Sequence, residues 1–308
     1  MPRIDLHSKL VQSFLAVLRM QSYTKAAQAL NLSQPAISQH IGRLEEVLDF
    51  RIIERNRGVV LPTVEAQTLL PDLKRFDRSV ELIFEKARAI AQGGEKTIRI
   101  AAPSSLVNFL LAPAVAGMHE ENTEVFPVFR LVADHGVYDM VRAGEVDFAL
   151  TSMSGSDSAL SCTFLLNDRP CLVCPDAHPL NEKGPIDLEA ISRYGLIRPP
   201  KDTASNSAIE MFERVLGQGF TYAAEAEDLL TLDIMARAGL GLVILPALSA
   251  KLISHSGLNL RPIGTKIGWR DCQLIQQQHS PASVLAKQVM DSVKIRAKKL
   301  SETHPELV

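Results

Sequence analysis

Long apolar runs are missing from this 308-residue chain. No stretch approaches the roughly 18 apolar residues that a membrane-crossing helix needs, so no membrane partner is expected. The opening Met1-Pro2-Arg3-Ile4-Asp5 lacks the apolar centre of a secretion signal, and the cytoplasm is the expected compartment. Cysteine is scarce, with four in the whole chain. Cys171 and Cys174 form a C-x-x-C, but they bracket Leu172-Val173 in a run that reads as a strand. Residues three apart on a strand face opposite ways, which does not suit one metal ion. Reduced, mostly buried thiols are the expectation, with no metal site.

Catalytic signatures are missing too. The eight histidines show neither H-E-x-x-H nor a paired metal-ligand spacing, and no G-x-S-x-G occurs. The glycines of "AGLGL" (238–242) precede a strand-like run instead of opening a helix, so they are not a dinucleotide fingerprint. No catalytic residue and no cofactor is assigned, and the chain is not expected to be an enzyme. Hydrophobic residues at 46% and charged residues at 22% fit a globular protein of about two domains.

What is present begins with an asymmetry of charge. Residues 1–92 carry 13 Lys and Arg against 10 Asp and Glu, and the remainder 20 against 25. A mildly basic head thus precedes an acidic body, a weak pointer to nucleic acid. In the head, "YTKAAQALNLSQPAISQHIGRLEE" (23–46) reads as two helices around a tight corner. Ser33 is a good N-cap, and Pro35 suits a first helical turn, where its missing N–H is not needed. Ile37, Ile41, Leu44 and Leu48 recur at gaps of four, three and four, which makes one inward face. Gln34, Ser38 and Gln39 lie off that face. Ala26, Ala27 and Ala29 allow close approach of the preceding helix, and Leu10, Phe14 and Leu18 of a helix over about 8–20 supply a third wall.

Such a corner is a helix-turn-helix, whose second helix enters the major groove. Glutamine can pair with adenine through two hydrogen bonds, and serine serves bases or phosphates. The basic "FRIIERNRG" (50–58) comes next, where a wing belongs, with Arg51, Arg55 and Arg57 placed to reach phosphates or a narrow minor groove. An ordinary three-helix corner with a solvated polar face is the alternative. The DNA-facing set is Thr24, Ser33, Gln34, Pro35, Ala36, Ser38, Gln39, Arg43, Arg55 and Arg57.

These residues resemble the DNA-binding domain of LysR-type transcriptional regulators. That family's pattern has an alanine-rich helix, S-Q-P-A-x-S opening the recognition helix, then L-E-x-x-L-G-x-x-L-F-x-R. Ser33-Gln34-Pro35-Ala36, Ser38, Leu44-Glu45, Leu48 and Arg55 match it. Asp49 stands where the family usually has glycine, Ile53 where it often has phenylalanine, and "LPTVEA" replaces the usual L-T-x-x-G.

After the wing, Leu69, Leu73, Phe76, Val80, Ile83, Ala87 and Ile90 alternate gaps of four and three, a heptad seam of about three heptads. A helix of about 28 residues, roughly 40 Å long, is expected to pair with a second copy. Pro71 could bend its first turns or delay its start.

From Thr97 onward, seven short strand-like runs alternate with amphipathic stretches: "TIRIAAP", "VFPVFRLV", "VDFALTS", "CLVCP", "YGLIRPP", "TYAAEAE" and "GLVILP". This predicts α/β structure with largely parallel sheets. The resemblance implies a two-lobed, periplasmic-binding-protein-like (type 2) effector domain. Its residues are then 95–300, with lobe 1 about 95–166 and 268–300 and lobe 2 about 167–267. The winged helix-turn-helix takes 1–62 and the linker helix 63–92. The resemblance also implies double-stranded operator DNA as a partner, a dimer through the linker and a homotetramer.

In such folds ligands sit where strand ends meet helix starts. Ser104, Ser105, Asp134, Thr151, Ser152, Thr203 and Ser205 occupy such places and form the candidate effector set, for a small carboxylate-bearing metabolite. Two of them depart from the family: Asp134 stands where a neutral hydroxyl is common, and Ser152 where some aromatic-acid sensors carry arginine. An effector with both a carboxylate and a cationic group suits Ser104 and Asp134 together. A solute-binding protein with no DNA role is the alternative reading of this half alone.

Overall fold

The structure, a computed structural model, describes residues 6–56, 59–91, 96–120, 124–153, 155, 157–181, 186–201, 203–254, 257–279 and 282–305. The chain divides into two compact units, Met1–Gly94 and Glu95–Val308.

In the first unit, α1 (Ser8–Met20) buries Leu10, Val11, Phe14 and Val17, residues that fall on one face at helical spacing. Ser22 caps α2 (Tyr23–Ala29) by accepting the Lys25 N–H at 3.3 Å, and Ala26 and Ala27 of α2 are buried. The corner passes through Asn31 in the left-handed region (φ 53°), which asparagine tolerates better than most residues. Ser33 then caps α3 (Gln34–Leu48), accepting from the Ala36 N–H at 3.3 Å, with Pro35 in the first turn. Ile37, Ile41 and Leu44 are buried against α1 and α2.

Helix α3 stops at Asp49, also left-handed (φ 62°). This is the conformation a glycine adopts without strain, so the departure from the family's glycine changes the residue and keeps the turn. Strands β1 (Ile53–Asn56) and β2 (Val59–Pro62) pair antiparallel as a wing. The Thr63 hydroxyl donates to the Arg51 carbonyl at 2.8 Å and accepts from the Ala66 N–H at 3.2 Å. It thereby starts α4 (Val64–Ala91), which is continuous through Pro71; a start delayed past that proline does not occur. Ala66, Leu69, Leu70, Leu73 and Phe76 of α4 pack into the helix-turn-helix core. The first heptad of the seam is therefore consumed inside the chain. Ile83 and Phe84 stand 65% and 63% exposed. The Ile90 side chain lies outside the described residues.

The second unit holds two mixed sheets. Strand β3 (Thr97–Ala102) leads into α5 (Ser104–Leu106), which runs through a π turn (Val107–Leu111) into α6 (Ala112–Glu120). Then come β4 (Phe126–Leu131), α7 (Asp134–Arg142), β5 (Phe148–Thr151) and β6 (Leu160–Asp168). The chain passes at 168–170 into β7 (Pro170–Pro175), α8 (Leu188–Ser192), β8 (Leu196–Arg198), α9 (Ala204–Leu216), β9 (Tyr222–Glu225) and α10 (Leu229–Arg237). After β10 (Val243–Pro246), α11 (Ala247–Ile253) and β11 (Leu258–Pro262) it returns to the first sheet as β12 (Arg270–Gln277), and α12 (Val284–Thr303) comes last.

The first sheet has the order β4-β3-β5-β12-β6: β3 is parallel to β4 and β5, and β12 antiparallel to β5 and β6. In the second, β10-β7-β11 is antiparallel, β8 and β9 are parallel, and a bridge between Leu196 and Leu242 joins the two groups. All seven expected strands form. The expectation of largely parallel pairing is corrected: β7 and β10, both expected, pair antiparallel, and β6, β11 and β12, which were not expected, bring further antiparallel ladders.

Each sheet is covered on both faces. Ile98, Ile100, Phe148 and Leu150 pack with α12 residues such as Val289 and Val293, while Ala101, Ala149 and Ile275 pack with α7. Cys171 and Cys174 of β7 fall in different cores on opposite faces, as the strand period requires. Cys272 is buried as well, and Cys162 is exposed. At Gly241 an added Cβ would lie 2.9 Å from the Gly195 carbonyl oxygen, so that close approach requires glycine. Among the described residues no helix is long and apolar enough to cross a membrane.

Candidate functional site

Gln34, Pro35, Ser38 and Gln39 are exposed along the N-terminal half of α3, with Thr24 exposed on α2 and Ala36 half-buried. This polar row is outward because Ile37, Ile41 and Leu44 are inward. Ser33 is exposed, and its oxygen accepts the capping N–H. Arg43 is 56% exposed and pairs with Glu46 at 2.7 Å, a surface contact worth about 0–1 kcal/mol that leaves the guanidinium free to exchange partners. Arg55 belongs to β1, but its side chain lies outside the described residues, as does the whole of Arg57.

In the second unit a cavity of about 180 Å³ is lined by first-turn residues of several helices. Ser104 and Ser105 come from α5 and Asp134 from α7, all connected to the first sheet. Thr203 and Ser205 at α9, Asp228 before α10 and Ser249 of α11 are connected to the second. Thr203 caps α9, accepting the Asn206 N–H at 3.3 Å and donating to the Pro200 carbonyl at 2.6 Å. Ser104, Ser105, Asp134, Ser152, Thr203 and Ser205 all line the cavity.

Thr151 does not, which corrects its place in the set. It is fully buried; its hydroxyl donates to Asp134 at 2.7 Å and accepts the Met153 N–H at 3.1 Å. Asp134 is 4% exposed and accepts from the Thr151 hydroxyl, the Ser152 N–H at 2.6 Å and the Ser152 hydroxyl at 3.0 Å.

Sequence reasoning missed Asp168, Glu227 and Asp228 of the lining. Asp228 carried a local signal, since it caps α10 by accepting the Thr231 N–H at 2.9 Å, and an acidic N-cap before an apolar run is legible. Asp168 carried none. It sits where the chain leaves β6, 2% exposed, and accepts the Leu248 N–H at 3.1 Å. Burial pushes its carboxyl up to about 7, opposed by the Leu248 and Ala247 N–H groups and the Arg270 charge. Arg270, on the returning crossing, feels both Asp134 and Asp168; its Nε is buried without a hydrogen-bond partner. Beside it the Arg169 guanidinium stacks 5.0 Å from the Trp269 ring centroid, tying the two crossing segments together.

Two family profiles match this chain. "Bacterial regulatory helix-turn-helix protein, lysR family" covers residues 8–67, and "LysR substrate binding domain" covers residues 91–298. The chain belongs to the LysR family: it is a DNA-binding transcription regulator with an effector-binding domain. It is similar to the regulator BenM of Acinetobacter baylyi, 30% identical over 81% of this chain and 83% of that one. The transcriptional activator protein LysR of Escherichia coli is 25% identical, over 90% and 89% respectively. Among solved structures, full-length CbnR complexed with its target DNA shares the fold with a TM-score of 0.74 at 17% identity, covering 94% of this chain and all of that one.

Proposed function

We propose that this regulator reads its operator with Gln34, Ser38 and Gln39, while Thr24, Ser33, Pro35, Ala36 and Arg43 border the same surface. Arg55 and Arg57 take phosphates beside it. The observation that carries the reading is the row of exposed amide and hydroxyl side chains at the capped start of α3. Glutamine there suits adenine, and serine suits bases or phosphates. The CbnR complex with target DNA supports the same use of the fold. Two copies pair along α4, where Ile83 and Phe84 present apolar surface, and two such dimers make a tetramer. The protein has no catalytic step and acts in the cytoplasm, where its operator lies.

The cavity holds a small effector bearing a carboxylate, which the first-turn hydroxyl and N–H groups suit. A ligand touching both Ser104 and Thr203 bridges the two sheets and biases how they sit. Only a ligand with unequal affinity for two arrangements can switch a protein. The test is a gel shift with DNA from the protein's own upstream region against a scrambled fragment of equal length. Preference for the upstream fragment is expected, and equal binding to both would sink the reading.

A further inference from the structure

The cavity's charge is one-sided. Four acidic side chains line it, Asp134, Asp168, Glu227 and Asp228, and among the described lining residues there is no lysine, arginine or histidine. Arg270 lies near Asp134 and Asp168 outside that lining and offsets one of them. Asp134 accepts from three donors of the protein, Asp228 from the N–H and hydroxyl of Thr231, and Asp168 from the backbone N–H groups of Leu248 and Ala247. Asp168 is the buried one with least support, and desolvation dominates its proton affinity. Glu227 is exposed.

With the cavity taken as the effector site proposed above, we infer that it binds a small zwitterion of the α-amino-acid class, its ammonium group held by Asp168 and Glu227. The carboxylate end goes to the first turns of α5 and α9, where Ser104, Ser105, Thr203 and Ser205 stand. An ammonium group taken out of water needs a charged, hydrogen-bonding partner, and a carboxylate taken out of water needs the same. Each relieves the other here. A simple acid of the same size brings further negative charge into an acidic lining and supplies no cation to it. The cavity of about 180 Å³ limits the ligand to a small one.

The full-length protein is titrated by calorimetry and thermal shift with the proteinogenic L-amino acids, and with the 2-hydroxy acid and the decarboxylated amine of each. The expected result is saturable binding of at least one amino acid, with its 2-hydroxy acid at least about tenfold weaker. Glu227→Gln should weaken that binding by about threefold, as for a solvent-exposed charge. Asp168→Asn should weaken it by about thirtyfold or more with unchanged DNA binding; if that variant does not fold, Glu227→Gln decides. A 2-hydroxy acid that binds as well as the amino acid, or an affinity that Glu227→Gln leaves unchanged, overturns the proposal. Binding of acids alone, with Asp168 donating its proton to them, overturns it while leaving the effector reading intact. Failure of every probe overturns it too. A regulator that responded to no metabolite in a reporter assay would separately remove the effector reading.

Discussion

The helix-turn-helix and the cleft hold their working side chains in opposite ways. On α3 the groups proposed to read bases are exposed, and the packing that positions them is done by their neighbours Ile37, Ile41 and Leu44. In the cleft, Asp134, Ser152 and Asp168 are themselves buried, at 4%, 8% and 2% exposure, and bonded to one another or to the backbone. A substitution on α3 therefore removes a contact with a partner and leaves the fold alone. A substitution in the cleft removes part of the fold along with the site.

Asp134→Ala should give the largest effect on that contrast. It leaves the Thr151 hydroxyl and both the N–H and hydroxyl of Ser152 without their acceptor, and each buried group so stranded costs about 1–3 kcal/mol. A loss of about 3 kcal/mol or more is expected in urea denaturation followed by a signal from the second unit. A loss below about 1 kcal/mol would mean that water replaces the carboxylate, and the cleft would then be no more integral to the fold than the surface of α3.

Asp168 should tie stability to pH with the sign opposite to most carboxylates. Its folded pKa, about 7, lies above the ordinary carboxylate value of 3.8. The folded state thus holds the proton more tightly than the unfolded one. The stability contributed by this group is fully present below about pH 4, falls as pH climbs from about 4 to about 7, and is level above that. Each tenfold difference in proton affinity is worth about 1.4 kcal/mol. Carboxylates with lowered pKa, such as the half-buried Asp157 and the exposed Asp228, slope the other way. The measurement is therefore the difference between wild type and Asp168→Asn across pH 4–8. A flat difference would show that Asp168 is ionised throughout, with Arg270 as its partner.

The same contrast explains what could be read from the residues alone. The helix-turn-helix was legible because its determinants are local: the Ser33 cap, the turn at Asn31 and the stripe on α3 fall within about a dozen residues. The seven apolar strands between glycine and proline punctuation were legible for a similar reason. Strands β6, β11 and β12 were not, since polar residues interrupt them and their register is set at long range. Arg270, for example, pairs with Asp168, a partner far away in the chain. Six of the seven expected cavity residues converge because helix starts at strand ends are where this fold opens. Thr151 failed because, at the end of β5, it turns inward to Asp134. Nothing near Asp168 announces that a carboxylate in a crossing segment will face a cavity built from distant stretches.

On the reading helix the expected effect divides cleanly. Gln34→Ala should cost about 1–3 kcal/mol at the cognate site through loss of a bidentate base contact, with stability unchanged within about 0.5 kcal/mol. Fluorescence anisotropy on cognate and scrambled duplexes, paired with thermal melts, measures both. A melt lowered by more than about 1 kcal/mol would show that Gln34 supports the cap at Ser33, and the surface would then share the cleft's character.

The wing gives the smallest effect and the sharpest division within the DNA-binding unit itself. Arg55 is on β1, opposite Val60 of β2, in the basic stretch 50–58 that follows the reading helix. A guanidinium on phosphate adds affinity without sequence preference, and each such contact contributes about 0.9 to the slope of log affinity against log salt. Arg55→Ala should therefore shallow that slope by about one and weaken cognate and scrambled DNA equally, by a few-fold at moderate salt. Titrations of both duplexes at four salt concentrations decide it. If the cognate duplex lost much more than the scrambled one, Arg55 would be reading a narrow minor groove. Recognition would then be divided between helix and wing, and Gln34 would account for less of the specificity than its position on α3 implies.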